Sequence, residues 1–173
     1  MFKLFYEKTE KLTPVQQSEA GYSLLKEKLC DYYKKEPSPF YIEKDSKGCP
    51  YIVGIENVYV SITHTEGLVA CAFADFRVGV DAEKIQIRRK SVEKRVFTDD
   101  EISLLDKSTD ADTAFFTLWT LKESYLKASG CSTSEAFAAE FDISGGAVKG
   151  PEGYVFELSF DIEGYVLAVC REI

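Results

Sequence analysis

The chain has 173 residues, 45% apolar, 29% charged and 13% aromatic, the composition of one ordinary globular domain able to bury a core of its own. It carries 21 Lys+Arg against 29 Asp+Glu, a formal charge of −8, which disfavours bulk attraction to nucleic acid or an anionic membrane; no apolar run suits a bilayer, and Met1–Glu7 has neither an apolar h-region nor a small-residue cleavage site, so neither a membrane span nor a secretory signal is expected. Five widely spaced cysteines without C-x-x-C predict reduced thiols in a cytoplasmic protein, and the single histidine, His64, excludes a multi-histidine metal centre.

In chain order, residues 2–6 read as a strand. Thr13-Pro14-Val15-Gln16 supplies a helix cap, a first-turn proline and a capping-box glutamine, so a helix is predicted to about Lys34, with Val15, Tyr22, Leu25, Leu29 and Tyr32 inward. Pro37 and Pro39 stop it, Phe40-Tyr41-Ile42 reads as a strand, and Ser46–Pro50 reads as a turn. Strands follow at 51–53, 57–62, 68–74 and 78–83; Asp75-Phe76-Arg77 is short enough to make the last two an antiparallel hairpin. Helices are predicted from Ser91 to about Phe97, from the capping box Thr98-Asp99-Asp100-Glu101 to about Lys107, and from about Thr113 to Ser129, closed by Gly130. After turns at Gly145-Gly146 and Gly150-Pro151, strands return at 154–160 and 164–170. Strands mixed with helices, without strict alternation, predict an α+β fold with largely antiparallel sheets.

Three segments carry candidate chemistry. Asp81 and Glu83, at i and i+2 of a strand, leave one face about 6.6 Å apart; D-x-E is more often a solvated strand face, but paired hard oxygens are also what Mg²⁺ takes beside substrate phosphates. On the helix near Trp119, the side chains of Ala114, Leu118, Leu121 and Tyr125 form an apolar stripe, with Trp119, Glu123 and Lys127 on a neighbouring face and Lys122 about 100° from Glu123. Glu123 and Lys127 make either a plain i,i+4 ion pair or a third carboxylate with a phosphate-binding lysine. Finally, Thr63-His64-Thr65-Glu66-Gly67 sets the lone histidine between two hydroxyls before a glycine turn, a donor set suited to a phosphate ester, although a lone histidine is more often a structural hydrogen-bonder.

Taken together and in order, Lys47-Gly48-Cys49-Pro50, Thr63-His64-Thr65, Gly79-Val80-Asp81-Ala82-Glu83 and Trp119-Thr120-Leu121-Lys122-Glu123-Ser124-Tyr125-Leu126-Lys127 resemble the 4′-phosphopantetheinyl transferases, specifically the larger, surfactin-synthetase-activating (Sfp-like) type. The similarity spans roughly residues 47 to 130, with an echo in Gly164–Cys170. It implies a 4′-phosphopantetheinyl transferase-like fold, a single domain of two similar α+β halves at about 1–74 and 75–173. It implies Mg²⁺-dependent transfer of the 4′-phosphopantetheine arm of coenzyme A to a serine of an apo acyl or peptidyl carrier protein, releasing adenosine 3′,5′-bisphosphate, by a cytoplasmic monomer. By the same resemblance Asp81, Glu83 and Glu123 hold Mg²⁺, Glu123 or a water takes the serine proton, and Lys127 and Lys122 stabilise phosphoryl oxygens. Lys47, Thr63, His64 and Thr65 contact coenzyme A, and the basic stretch Lys84–Arg95 lies near the carrier.

The sequence also departs from the family pattern. Val60-Ser61-Ile62 replaces Phe-Asn before the histidine element, Cys49 stands before the turn proline in place of lysine, and the N-terminal half is short. The arginine expected before the glycine of the first long helix is missing from Gln16–Gly21, which predicts weak discrimination between coenzyme A and dephospho-coenzyme A unless Lys3, Lys8, Lys26 or Lys47 replaces it. The alternative from another class is a catalytically inactive homologue that binds coenzyme A or a carrier.

Overall fold

The computed structural model describes residues 1–34, 40–145 and 147–173; the predicted stops at Pro37 and Pro39 and the Gly146 half of a turn lie outside them. The chain begins with β1 (Phe2–Lys8) and α1 (Pro14–Tyr33). Thr13 Oγ1 accepts from Gln16 N at 3.4 Å while Gln16 Oε1 accepts from Thr13 N at 3.0 Å, the reciprocal cap that the sequence encodes. The helix ends at Lys34 in the left-handed region, φ 50°. Its buried face is Gln17, Gly21, Leu24, Leu25 and Leu29, whereas Val15 is 68% exposed, so the true face is turned from the predicted one. Gly21 sets that rotation: a Cβ there would meet Ile62 Cγ2 at 2.7 Å, so the helix approaches the sheet through its one residue without a side chain.

A small hairpin of β2 (Tyr41–Lys44) and β3 (Pro50–Val53) follows. Asp45 Oδ1 accepts from Lys47 N at 2.8 Å and Cys49 N at 2.9 Å, and Gly48 takes φ 84°, a conformation glycine adopts without strain. β4 (Tyr59–Thr65) and β5 (Leu68–Ala74) form the next hairpin, and with β1 they make an antiparallel sheet in the order β1-β5-β4. All seven residues of β5 are buried because both faces are covered. Leu68, Ala70, Ala72 and Ala74 join one cluster, while Val69, Cys71 and Phe73 meet α1 residues Leu24, Leu25 and Leu29 in another. Full burial of such leucines and phenylalanines contributes about 1.5–3 kcal/mol each.

β6 (Val78–Lys84) does not pair with β5. The expected hairpin at Asp75-Phe76-Arg77 is therefore incorrect: the chain crosses there from one sheet to another, and Val78, Val80 and Ala82 pack face-on against the alternate residues of β5. The short connection fits both geometries, and apolar burial selects the stacked one. Then come α2 (Lys90–Val96), α3 (Asp99–Lys107), α4 (Ala111–Ser129), α5 (Thr133–Ala138), β7 (Tyr154–Ser159) and β8 (Tyr165–Glu172). β6, β8 and β7 form a second antiparallel sheet in the order β6-β8-β7. α5 was not anticipated, although Ser132 and Glu135 form a capping box of the kind used to find the other helices. The observed class is the expected α+β with antiparallel sheets.

β4 and β6 are each an edge strand, and the two edges meet through side chains instead of a backbone ladder. Ser61 Oγ accepts from Val80 N at 2.9 Å and Thr63 Oγ1 accepts from Ala82 N at 3.4 Å. Hydroxyls on alternate residues of β4 thus satisfy edge N–H groups that burial would otherwise leave unpaired.

Candidate active site

The seam between β4 and β6 and the crossing of α4 over β6 together build the site. A Cβ on Gly79 would lie 1.9 Å from Ser124 O and 2.6 Å from Ala128 N, so the glycine of G-x-D-x-E is what lets the α4 backbone rest directly on β6. With Gly79 under Ser124 and Ala128, the Asp81 and Glu83 side chains leave the same strand face toward Glu123 and Lys127.

Lys127 Nζ donates to Asp81 Oδ1 at 2.7 Å and to Val80 O at 3.0 Å. Thr63 Oγ1 donates to the same Oδ1 at 2.8 Å, and Thr65 Oγ1 donates to Glu83 Oε2 at 3.4 Å. Asp81 is 5% exposed, and its other oxygen, Oδ2, is buried without a hydrogen-bond partner. Burial pushes the Glu83 carboxyl up to about 7, with the charges of Asp81 and Glu123 adding to it and Lys127 and Thr65 opposing. Burial, then Asp81, also raises Glu123, again against Lys127. Three carboxylates thus share one neighbourhood with a single ammonium. Among the described residues no three His, Cys, Asp or Glu side chains are gathered closely enough to hold a metal as they stand, consistent with carboxylates that repel each other and with Lys127 on the inner oxygen of Asp81.

Lys127 also lines a cleft of about 940 Å³ between the β2–β3 hairpin, residues 54–60 and the C-terminal end of α4. Lys47 and Arg77 line the same cleft. Lys47 Nζ donates to Gly130 O at 2.8 Å, tying the hairpin turn to the end of α4.

The structure brings Asp81, Glu83, Glu123, Lys127, Thr63 and Thr65 together, but in altered parts. The two threonine hydroxyls donate to carboxylates, Thr63 to Asp81 and Thr65 to Glu83, and Thr63 also accepts from Ala82 N, so both hydroxyls help to position those carboxylates. His64 is exposed on the opposite face of β4 and does not line the cleft; desolvation of the ring, then Lys127, lowers its pKa. Lys122 must be corrected outright. It is fully buried, with Nζ donating to Phe137 O at 2.8 Å and Ala139 O at 2.5 Å and pairing with Glu101 Oε2 at 2.9 Å. A neighbour in sequence, it points about 100° away from Glu123 into the aromatic cluster of Phe97 and Phe141. In the basic stretch, Arg88 is likewise committed inward to Glu93 and Asp106, and Lys84 pairs with Glu66, leaving Arg89, Lys90, Lys94 and Arg95 exposed. Arg77 escaped the sequence reading; its signal was a lone arginine immediately before the D-x-E strand.

The family model of the 4′-phosphopantetheinyl transferase superfamily matches residues 77–170, more than half of the chain. A 4′-phosphopantetheinyl transferase of Bacillus subtilis is 29% identical over 159 residues, covering 87% of this chain and 71% of the relative. The 4′-phosphopantetheinyl transferase Sfp of B. subtilis strain 168 is 28% identical over the same shares, and HetI of a Nostoc species is 31% identical over 64% of this chain and 50% of its own. The crystal structure of Thermotoga maritima holo-[acyl-carrier-protein] synthase aligns with TM-score 0.45 at 19% identity, over 56% of this chain and 62% of that one. No helix among the described residues is long and apolar enough to cross a membrane. β6 with Asp81 and Glu83, its crossing by α4 that delivers Glu123 and Lys127, and nearly all of the second sheet fall within the matched segment, and the chain belongs to the 4′-phosphopantetheinyl transferase superfamily, an enzyme class that transfers phosphopantetheine to carrier proteins.

Proposed function

We propose that this chain transfers the 4′-phosphopantetheine arm of coenzyme A to a serine hydroxyl of an apo acyl or peptidyl carrier protein, with Mg²⁺, releasing adenosine 3′,5′-bisphosphate. The observation that carries this reading is the unpartnered, buried Asp81 Oδ2 beside Glu83 and Glu123, with Lys127 between that group and the cleft. Two raised carboxyls and an orphaned carboxylate oxygen are a donor set short of positive charge, which fits a hard divalent cation; Asp81, Glu83 and Glu123 are the residues that would hold it. When bound, Mg²⁺ supplies neutralisation of the pyrophosphate charge that the incoming oxygen must approach.

The remaining roles follow from this chain's own groups. Lys127 uses two of its three N–H donors on Asp81 Oδ1 and Val80 O, which leaves one for a phosphoryl oxygen of a donor in the cleft. Thr63 and Lys127 fix Asp81 through Oδ1 and leave the buried Oδ2 without a protein partner. Glu123, made more basic by burial and Asp81, takes the serine proton directly or through one water. The serine oxygen forms a bond to the phosphorus that bears the pantetheine arm. The bond from that phosphorus to the bridging pyrophosphate oxygen breaks, and adenosine 3′,5′-bisphosphate leaves with the electron pair. In the same reading the chain acts as one monomeric, cytoplasmic domain whose halves, about 1–74 and 75–173, each contribute an edge strand, and the exposed Arg89, Lys90, Lys94 and Arg95 face an acidic carrier.

The test is chromatography of the nucleotide product. Incubation with coenzyme A, Mg²⁺ and an apo carrier should release adenosine 3′,5′-bisphosphate, and a carrier whose acceptor serine is replaced by alanine should release none. Release that ignores the serine would assign the cleft to hydrolysis instead of transfer.

A further inference from the structure

The helix that carries most of the exposed cations has little means of its own to start. α2 has seven residues, too few to persist alone, and its N-cap, Arg89, makes no side-chain cap, whereas α1, α3 and α5 open on reciprocal capping boxes. Its place comes from tertiary contacts: Val96 packs into the core at one end, and Arg88 holds the other. Arg88 turns inward between two outward neighbours, Ile87, which is 85% exposed, and Arg89. Its backbone N donates to Asp112 Oδ1 of α4 at 2.9 Å, and its guanidinium reaches Asp106 Oδ1 of α3 at 3.2 Å and Glu93 Oε1 of α2 at 3.6 Å. One residue thus ties the loop 85–89 to three helices. The limbs differ: Asp106 is exposed, whereas Glu93 is buried, and neither its Oε1 nor Arg88 Nη1 has a hydrogen-bond partner among the described residues. Without Arg88, Glu93 would be a bare buried charge. On the outer side of the loop, Ile87 and Arg89 line a cleft of about 290 Å³ with Glu83, Val92 and Trp119, so this loop joins the acidic group to the basic face of α2.

We propose that Arg88 is a positioning residue for the carrier: by pinning the loop 85–89 to α2, α3 and α4, it presents Ile87 and Arg89 beside Glu83 as one fixed apolar and cationic pair. The assignment rests on the transfer reading above, in which an acidic carrier meets this face. An exposed isoleucine and arginine on a free loop would lose conformational freedom on docking. Fixing the loop beforehand removes part of that cost, so the carrier binds more tightly with no added contact. Arg88 faces away from the docking side with its guanidinium directed at carboxylates, so it acts through its two neighbours. A guanidinium suits this post because its fork addresses Glu93 and Asp106 from two different nitrogens, whereas an ammonium offers one. None of Arg88, Glu93, Asp106 and Asp112 lines the larger cleft beside Lys127, so the pin bears on the carrier and not on coenzyme A.

The experiment is calorimetric binding of an apo acyl carrier protein, and separately of coenzyme A, to the full chain and its variants, with thermal melting of each. Arg88→Met should weaken carrier binding roughly tenfold while coenzyme A affinity changes by less than about twofold, and Arg88→Lys should recover part of the loss. Asp106→Ala removes only the exposed limb, so it should keep the melting temperature and still weaken the carrier about two- to threefold, which tests the claim even where Arg88→Met does not fold. Arg89→Ala should weaken the carrier in the parent and hardly at all in the Arg88→Met background, because the Arg89 guanidinium is no longer presented. Carrier affinity unchanged below a lowered melting temperature would make Arg88 a structural group. That result, additive losses for Arg88 and Arg89, or an equal loss for both ligands overturns the proposal. Binding separates this claim from the one beneath it. The predicted affinities without carrier modification would remove the transfer reading alone, whereas carrier modification with an affinity independent of Arg88 would remove Arg88 alone.

Discussion

Asp81 has one oxygen saturated by Thr63 and Lys127 and one with no partner, and that asymmetry makes Thr63 a positioning residue. Thr63→Val keeps the shape but removes the donor to Asp81 and the acceptor of Ala82 N; it should cost about 1–3 kcal/mol of stability. It should also raise the Mg²⁺ concentration needed for half-maximal transfer, with Thr63→Ser restoring both. A raised KM for coenzyme A at unchanged Mg²⁺ dependence would instead return Thr63 to the phosphate contact that the resemblance implied. Glu123→Gln removes a proton acceptor and one of three crowded charges. Transfer should fall roughly 10²–10⁴-fold, the usual worth of a general base, while the melting temperature of the Mg²⁺-free protein holds or rises, because Asp81 no longer faces a second carboxylate. Full activity in a normally folded variant would remove Glu123 from the reaction.

At the level of elements, capping boxes made Thr13 and Thr98 readable as helix starts, because a local side-chain–backbone exchange needs no tertiary information. Long-range choices were not readable. Whether Asp75-Phe76-Arg77 turns a hairpin or crosses between sheets depends on what covers β5, and which way Lys122 points depends on Glu101 and on the α5 segment, whose Phe137 and Ala139 carbonyls it binds. Motif membership placed Lys122 beside the phosphates; helical geometry turns it into the core. Lys122→Met should therefore leave Glu101 without its cation and two carbonyls without a donor, at a cost of about 3–5 kcal/mol in urea unfolding, with the KM for coenzyme A of the folded protein unchanged. A raised KM at full stability would contradict the structural role.

Across the whole molecule, two three-stranded sheets meet at a seam of hydroxyls, and the acidic group sits on that seam. Its charge makes stability depend on pH. Glu83 titrates near 7 in the folded chain against an ordinary value of 4.5. Below 4.5 it is protonated in both states; as pH rises toward 7 the unfolded chain ionises first, so this group lowers stability across that window and the deficit persists above it. Mg²⁺ should accordingly raise the melting temperature more at pH 8 than at pH 5, and an equal rise at both would contradict a cation on these carboxylates. The D-x-E, the α4 motif and the α+β class were legible because strand and helix periodicity place side chains by face. The cleft was not legible, since Lys47, Arg77 and Gly130 converge only after both sheets are in place. The most direct test of the account is intact-mass measurement of an apo carrier protein incubated with this protein, coenzyme A and Mg²⁺. A gain of one phosphopantetheine on the carrier, abolished by chelation of the metal, is the predicted result; a carrier of unchanged mass, with coenzyme A bound by the protein and left intact, would contradict it.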